Sequence, residues 1–184
     1  MVKMGRYRRF VDEWGGVDAL FVARSERLDG LDLDKKSAEF LREAGLPKKT
    51  GVYGLTFKQM VSPKVLGRGE RPGVAHSLES YLVIGTSEIG KVCLCAATKG
   101  EVFIVDVSAG CSESLLNSDI VKLAEFLSVR KQIEDVVCEG RKLTPELGPE
   151  LARQLRKEFL KLDPKALGKE LFWKTYLEQL EQGF

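Results

Sequence analysis

Residues 80–107 read SYLVIGTSEIGKVCLCAATKGEVFIVDV. Three apolar runs of strand length follow one another, parted by Glu88-Ile89-Gly90 and by Thr98-Lys99-Gly100. Connections this short join neighbouring antiparallel strands, so the stretch predicts a three-stranded meander. Side chains alternate along a strand. In KVCLCAA, Val92, Leu94 and Ala96 therefore face one way, and Lys91, Cys93 and Cys95 the other. EVFIVDV is apolar on both faces, the pattern of a strand covered on both sides.

The period changes after the meander. From Asn117 the apolar positions Ile120, Leu123, Ala124 and Leu127 recur at helical spacing, and Ile133, Val136 and Val137 extend the stripe. Asn117 or Ser118 is expected to cap this helix, with Asp119 favoured by the positive helix start. Thr144-Pro145 and Asp163-Pro164 each place a capping side chain before a proline at the first helical position. The helix after Pro149 carries Leu151, Leu155, Phe159 and Leu162. The last carries Leu167, Leu171, Phe172, Tyr176, Leu177 and Leu180.

Upstream, GRYRRFVDEWGG predicts a short helix closed by its two final glycines, with Tyr7, Phe10, Val11 and Trp14 on one face. VDALFVA reads equally as a strand or a helical turn. DKKSAEFLREAGLP predicts a helix capped by Asp34, with Ala38, Leu41 and Phe40 on the apolar side, and closed by Gly45. TGVYGLTF is rich in strand formers. Residues 62–78 have no period and two prolines, and are expected to be a long flexible loop. Helices precede and follow one antiparallel sheet with little βαβ alternation, so the fold class is α+β. A chain of 184 residues with 43% hydrophobic content suits one domain spanning 1–184.

The charge balance, 29 Lys and Arg against 27 Asp and Glu, lacks the basic excess of a dedicated nucleic-acid binder. No apolar run reaches the roughly 20 residues needed to cross a bilayer. MVKMGRYRRF lacks the apolar segment of a signal peptide. The four cysteines, Cys93, Cys95, Cys111 and Cys138, have neither disulfide-scaffold density nor zinc spacing. A soluble, cytoplasmic protein with free thiols is expected.

Catalytic chemistry finds little to use. His76 is the single histidine and reads as an exposed loop residue. Cys93 and Cys95 lie mid-strand, away from any helix start that would activate a thiol. Cys111 has no histidine nearby in sequence. GRGERPG has proline where the dinucleotide fingerprint needs glycine, and no Lys-Ser/Thr pair follows. RYRR reads as a solvated face. The carboxylates of Glu79, Glu88, Glu101, Asp106, Asp119 and Asp135 are not paired by spacing, so a hydrolase built on them is a minor alternative. No catalytic residue, cofactor or metal ligand is expected.

FVDEWG, AEFLREAGLP, the meander, LLNSDIVKLAEFL and LDPKALGKELFWKTYLEQLEQG, in this order, resemble the SUKH superfamily. The likeness is strongest to its fourth group, the immunity proteins of bacterial polymorphic-toxin systems. FLREAGLP, Ile84-Gly85, Leu-Asn-Ser before the helix, and DPKAL carry most of it. The resemblance implies a non-catalytic module that binds and neutralises a cognate toxin, often a nuclease or nucleic-acid deaminase. No small-molecule substrate, membrane or direct nucleic-acid contact is implied, and a general interaction scaffold is the alternative. Such toxins tend to have basic clefts, so the expected partner-binding residues are Glu79, Glu88, Glu101, Asp106 and Asp119 on the exposed edge of the meander.

Overall fold

The computed structural model describes residues 7–23, 28, 32–52, 54–61, 73–108, 112–139, 143–168 and 171–183. The helices are α1 (Arg8–Glu13), α2 (Lys35–Glu43), α3 (Ile120–Cys138), α4 (Gly148–Leu162) and α5 (Phe172–Glu181). A small antiparallel pair joins β1 (Leu20–Phe21) to β2 (Leu46–Pro47). The main sheet is antiparallel, in the order β3 (Thr56–Val61), β4 (Tyr81–Ser87), β5 (Gly90–Cys95), β6 (Glu101–Asp106) and β7 (Ser112–Asn117). The architecture is α+β, with the meander as β4–β6 at the centre of the sheet.

Two strands flank the meander that periodicity alone does not mark. In β7, SESLLN, the apolar residues sit only at the end of the strand, so no alternation precedes the helix. The strand reading of TGVYGLTF needs correction: β3 begins at Thr56. The Thr50 hydroxyl donates to the Leu55 carbonyl (2.9 Å) and accepts from Val52 N–H (3.1 Å), folding 50–55 into a turn despite its strand-forming residues. VDALFVA splits into a 3₁₀ turn over Val17–Ala19 and the short β1.

Alternation in the meander divides two apolar layers. Val92, Leu94, Val102 and Ile104 face the helices and join the main core, which runs from Val11 to Leu180. Cys93, Cys95, Phe103 and Val105 face the other way and form a second cluster with Leu78, Tyr81 and Val83. The helices carry the stripes their sequences specify: Phe40 and Leu41 of α2, Ile120, Leu123, Ala124 and Leu127 of α3, and Leu151, Leu155 and Phe159 of α4 are buried. Ala38, Ile133 and Val137 are half-buried, the last two packed against the core, and Val136 is 71% exposed and lies off the stripe.

Helix starts follow a different division of labour from the expected one. Asp34 caps α2, accepting from Ser37 N–H at 3.0 Å. Asp119, rather than Asn117 or Ser118, caps α3, accepting from Lys122 N–H at 2.8 Å. Neither Thr144 nor Asp163 makes a side-chain cap. Asp163 turns inward instead, accepting from Ser118 N–H (2.7 Å), the Ser118 hydroxyl and Asn117 Nδ2 (3.3 Å). A wholly buried carboxylate is tolerated only with such partners, and these outweigh a cap at a solvated turn.

Candidate functional site

The five acids expected to bind a partner separate into two groups. Gly90 pairs with Ser87 at the β4–β5 turn, and Lys91 pairs with Val105. Glu88 and Asp106 thus lie together at one end of the sheet. Glu101 pairs with Cys95, which pairs with Tyr81, and Val102 pairs with Asn117. Glu79, Glu101 and Asp119 therefore lie at the opposite end, about 17 Å away at the usual rise per strand residue. One contiguous acidic face does not form.

The far end is occupied with structural work. Asp119 is the α3 cap, and the Glu79 carboxylate accepts from the Ser77 hydroxyl beside it. The start of α2 docks there, Asp34 N–H donating to the Lys99 carbonyl at 3.0 Å.

The near end presents a different surface. Glu88 and Ile89 form the tip of the β4–β5 turn, which Ser87 Oγ closes by donating to the Gly90 carbonyl at 3.3 Å. Gly90 packs so closely on β6 that a Cβ there would lie 2.7 Å from the Val105 carbonyl oxygen and 3.1 Å from the Asp106 nitrogen. The turn and the β6 end are thereby one structure. Asp106 accepts from Ser108 N–H (2.8 Å) and from its hydroxyl (2.9 Å), which holds its carboxyl below the usual range and keeps it ionised. Beside these acids Ile89 is 56% and Val107 43% exposed. The turn containing Gly54 runs against the Glu88 side chain. Two of that turn's carbonyls, of Thr50 and Gly51, accept from the buried Arg130 guanidinium at 3.2 and 3.3 Å. The surface therefore rests on a pinned support.

The second face of the sheet is covered by a strap. The Gly73 carbonyl accepts from Glu113 N–H on β7 at 3.1 Å, and from there residues 73–80 cross the sheet with Val74 and Leu78 inward. Residues 62–72 of the expected loop, most of GRGERPG, Cys111 and Arg6 of RYRR lie outside the described residues. His76 is half-buried rather than exposed, its ring 6.4 Å from that of Tyr81. Tyr81 lies edge-on to Phe103 at 6.0 Å, and its hydroxyl donates to the Glu113 carboxylate.

Burial makes the thiols of this layer inert. It pushes Cys93 up to about 12, helped by Cys95 and opposed by Lys91. Tyr81 is raised well above its ordinary value by burial, then by its hydrogen bond to Glu113. Both groups are neutral in the fold and ionise more readily in the unfolded chain, near about 8.5 and 10. Their contribution to stability is complete below those values and fades as pH rises past them. The melting temperature is expected to hold from about pH 6 to 8 and to fall from about pH 9 upward. Iodoacetamide should leave Cys93 and Cys95 unmodified at pH 8 until denaturant is added. A flat melting curve to about pH 11, or rapid native labelling of Cys93 read by mass spectrometry, would contradict this account.

Between α1, α2 and α3 runs a groove of about 440 Å³ floored by Phe10 and Phe40. Arg9 and Lys36 on its rim are matched by Glu13 and Glu125, so it carries no sign preference. Arg8, the other described cation of RYRR, pairs with Asp12 at 3.7 Å. Among the described residues no three His, Cys, Asp or Glu side chains converge as metal ligands. Among the same residues no helix is long and apolar enough to cross a membrane.

A family model described as SUKH-4 immunity protein matches residues 6–179. The chain belongs to the SUKH-4 immunity protein family. No curated protein and no solved structure matches it. Immunity proteins of this family are generally non-catalytic. The motifs that carry the family likeness are nodes of the fold. In FLREAGLP, Gly45 closes α2 at φ +76° and abuts the Phe21 carbonyl. In Ile84-Gly85, a Cβ on the glycine would lie 2.3 Å from the Thr56 carbonyl oxygen, so its absence lets β3 approach β4. Asn117-Ser118 and the Asp163 of DPKAL meet in one buried hydrogen-bond cluster. These residues hold this chain's scaffold together.

Proposed function

We propose that this chain is a cytoplasmic immunity protein that binds a cognate bacterial toxin of the nuclease or nucleic-acid deaminase type and blocks it without chemistry of its own. The family match across residues 6–179 is the observation that carries this reading. The described structure suits it. Cys93 and Cys95 are packed into an apolar layer, His76 leans on a tyrosine ring, and most carboxylates serve caps, turns and ion pairs. Blockade requires only a complex that persists at cellular concentrations, which for a lethal target means a Kd of about 1 nM or tighter.

The test is co-expression with the C-terminal domain of the protein encoded next to this chain, which on this reading is a toxin domain that stops growth when expressed alone. Growth should be restored, a one-to-one complex should survive gel filtration, and toxin turnover in vitro should stop at one equivalent of this protein. Undiminished toxin activity in the presence of a large excess would overturn the reading.

A further inference from the structure

One end of the main sheet combines exposed apolar side chains with a carboxylate held in a fixed position. We infer that the near end of the sheet, formed by Glu88, Ile89, Asp106 and Val107, is the docking surface, and that its partner is a basic protein surface with an apolar recess. This rests on the toxin-binding reading and specifies where and by what chemistry the toxin is held.

Tight protein interfaces place a few apolar anchors at the centre and charged groups at the rim. Ile89 and Val107 supply the anchors. They are exposed at 56% and 43%, and their chain neighbours Gly90 and Asp106 are in backbone contact. Glu88 and Asp106 flank them with two negative charges. The hydrogen bonds from Ser108 fix the position of the Asp106 carboxylate without neutralising it. Lys91 sits further in, half-buried, one residue inside the turn.

Preorganisation is the second support. A surface held in its bound shape avoids the ordering cost of association. Here the turn is closed by Ser87, the β6 end by Ser108, and the turn beneath Glu88 by Arg130. The sign of the rim selects the partner: carboxylates beside exposed apolar groups repel nucleic acid and acidic proteins and attract lysine- and arginine-rich surfaces. The helix-side groove, with its balanced rim, makes no such selection.

The experiment uses the full chain and an inactivated form of the toxin domain encoded beside it, with affinity measured at low and high salt. E88K/D106K should weaken binding about 100-fold at low salt and by less at high salt, because rim charges are screened. I89S/V107S should weaken it about 10-fold or more at either salt. E79K/E101K at the far end should stay within about threefold of wild type. All three are surface changes, and unchanged melting temperatures confirm the fold. If wild type forms no complex, the immunity reading fails and this surface with it. If wild type binds and both near-end variants bind equally well, the surface is wrong and the immunity reading stands.

Discussion

Replacing Asp163 with alanine is expected to lower stability by about 3–5 kcal/mol, the usual loss when one partner of a buried charged cluster is removed. Asp163 is fully buried. It accepts from Ser118 N–H, the Ser118 hydroxyl and Asn117 Nδ2, and lies 3.7 Å from Lys122 Nζ. It therefore ties the end of β7 and the start of α3 to the link between α4 and α5. Alanine leaves those donors without an acceptor, and the penalty of unpaired buried donors falls on the folded state alone. With a urea slope of about 2 kcal/mol/M, the unfolding midpoint should drop by roughly 2 M. Asp163→Asn keeps the shape and one acceptor but sets its amide against other donors, and should lose about half as much. An alanine midpoint within about 0.3 M of wild type would remove Asp163 from its place in this account.

That cluster also shows where sequence reading reaches its limit. Asp163 followed by Pro164 has the form of a helix cap, and local spacing cannot distinguish a carboxylate that serves its own helix from one buried against the end of a strand 46 residues away. The side chain makes no cap and reaches Ser118 instead. The same holds for Asn117: its position before an apolar run suggests a cap, but its amide lies inside the core. β4–β6 were readable as strand-length apolar runs between short turns, the pattern of strands covered on both faces, and α2–α4 from their helical stripes. β7 was not, because its first residues, Ser112, Glu113 and Ser114, border solvent and carry no alternation.

The candidate site was legible in residue type and not in arrangement. Glu88 and Asp106 lie 18 positions apart in the chain and meet only because the β4–β5 turn and the end of β6 share one end of the sheet. Glu79, Glu101 and Asp119 are just as acidic, and the antiparallel register sends them to the other end. The sequence marks Ile89 only as part of a turn and does not single out Val107, since one exposed apolar residue near a turn is ordinary. The available signal was their position: each adjoins one of the two acids that the meander brings together.

Trp173→Ala is expected to lose about 3–5 kcal/mol, as for other large buried aromatics. The indole is fully buried, with Phe126, Phe159, Phe172 and Tyr176 between 5.2 and 5.8 Å from it, centre to centre. Phe126 and Phe159 stack at 3.9 Å beside it, so alanine would open a void where α3, α4 and α5 meet. The indole N–H donates to Asn117 Oδ1 at 3.0 Å. Asn117 thus accepts from Trp173 and donates to Asp163, and both ends of its amide are committed. Trp173→Phe keeps most of the packing and removes that donor, for a loss of about 1–2 kcal/mol. Because Asp163→Ala frees the same amide to turn, Trp173→Phe should do less harm in that background. A double-mutant cycle by urea unfolding should return about 0.5–1.5 kcal/mol of coupling. Strict additivity would mean that Asn117 does not connect the aromatic cluster to the buried carboxylate, and that the two stabilise the helical layer separately.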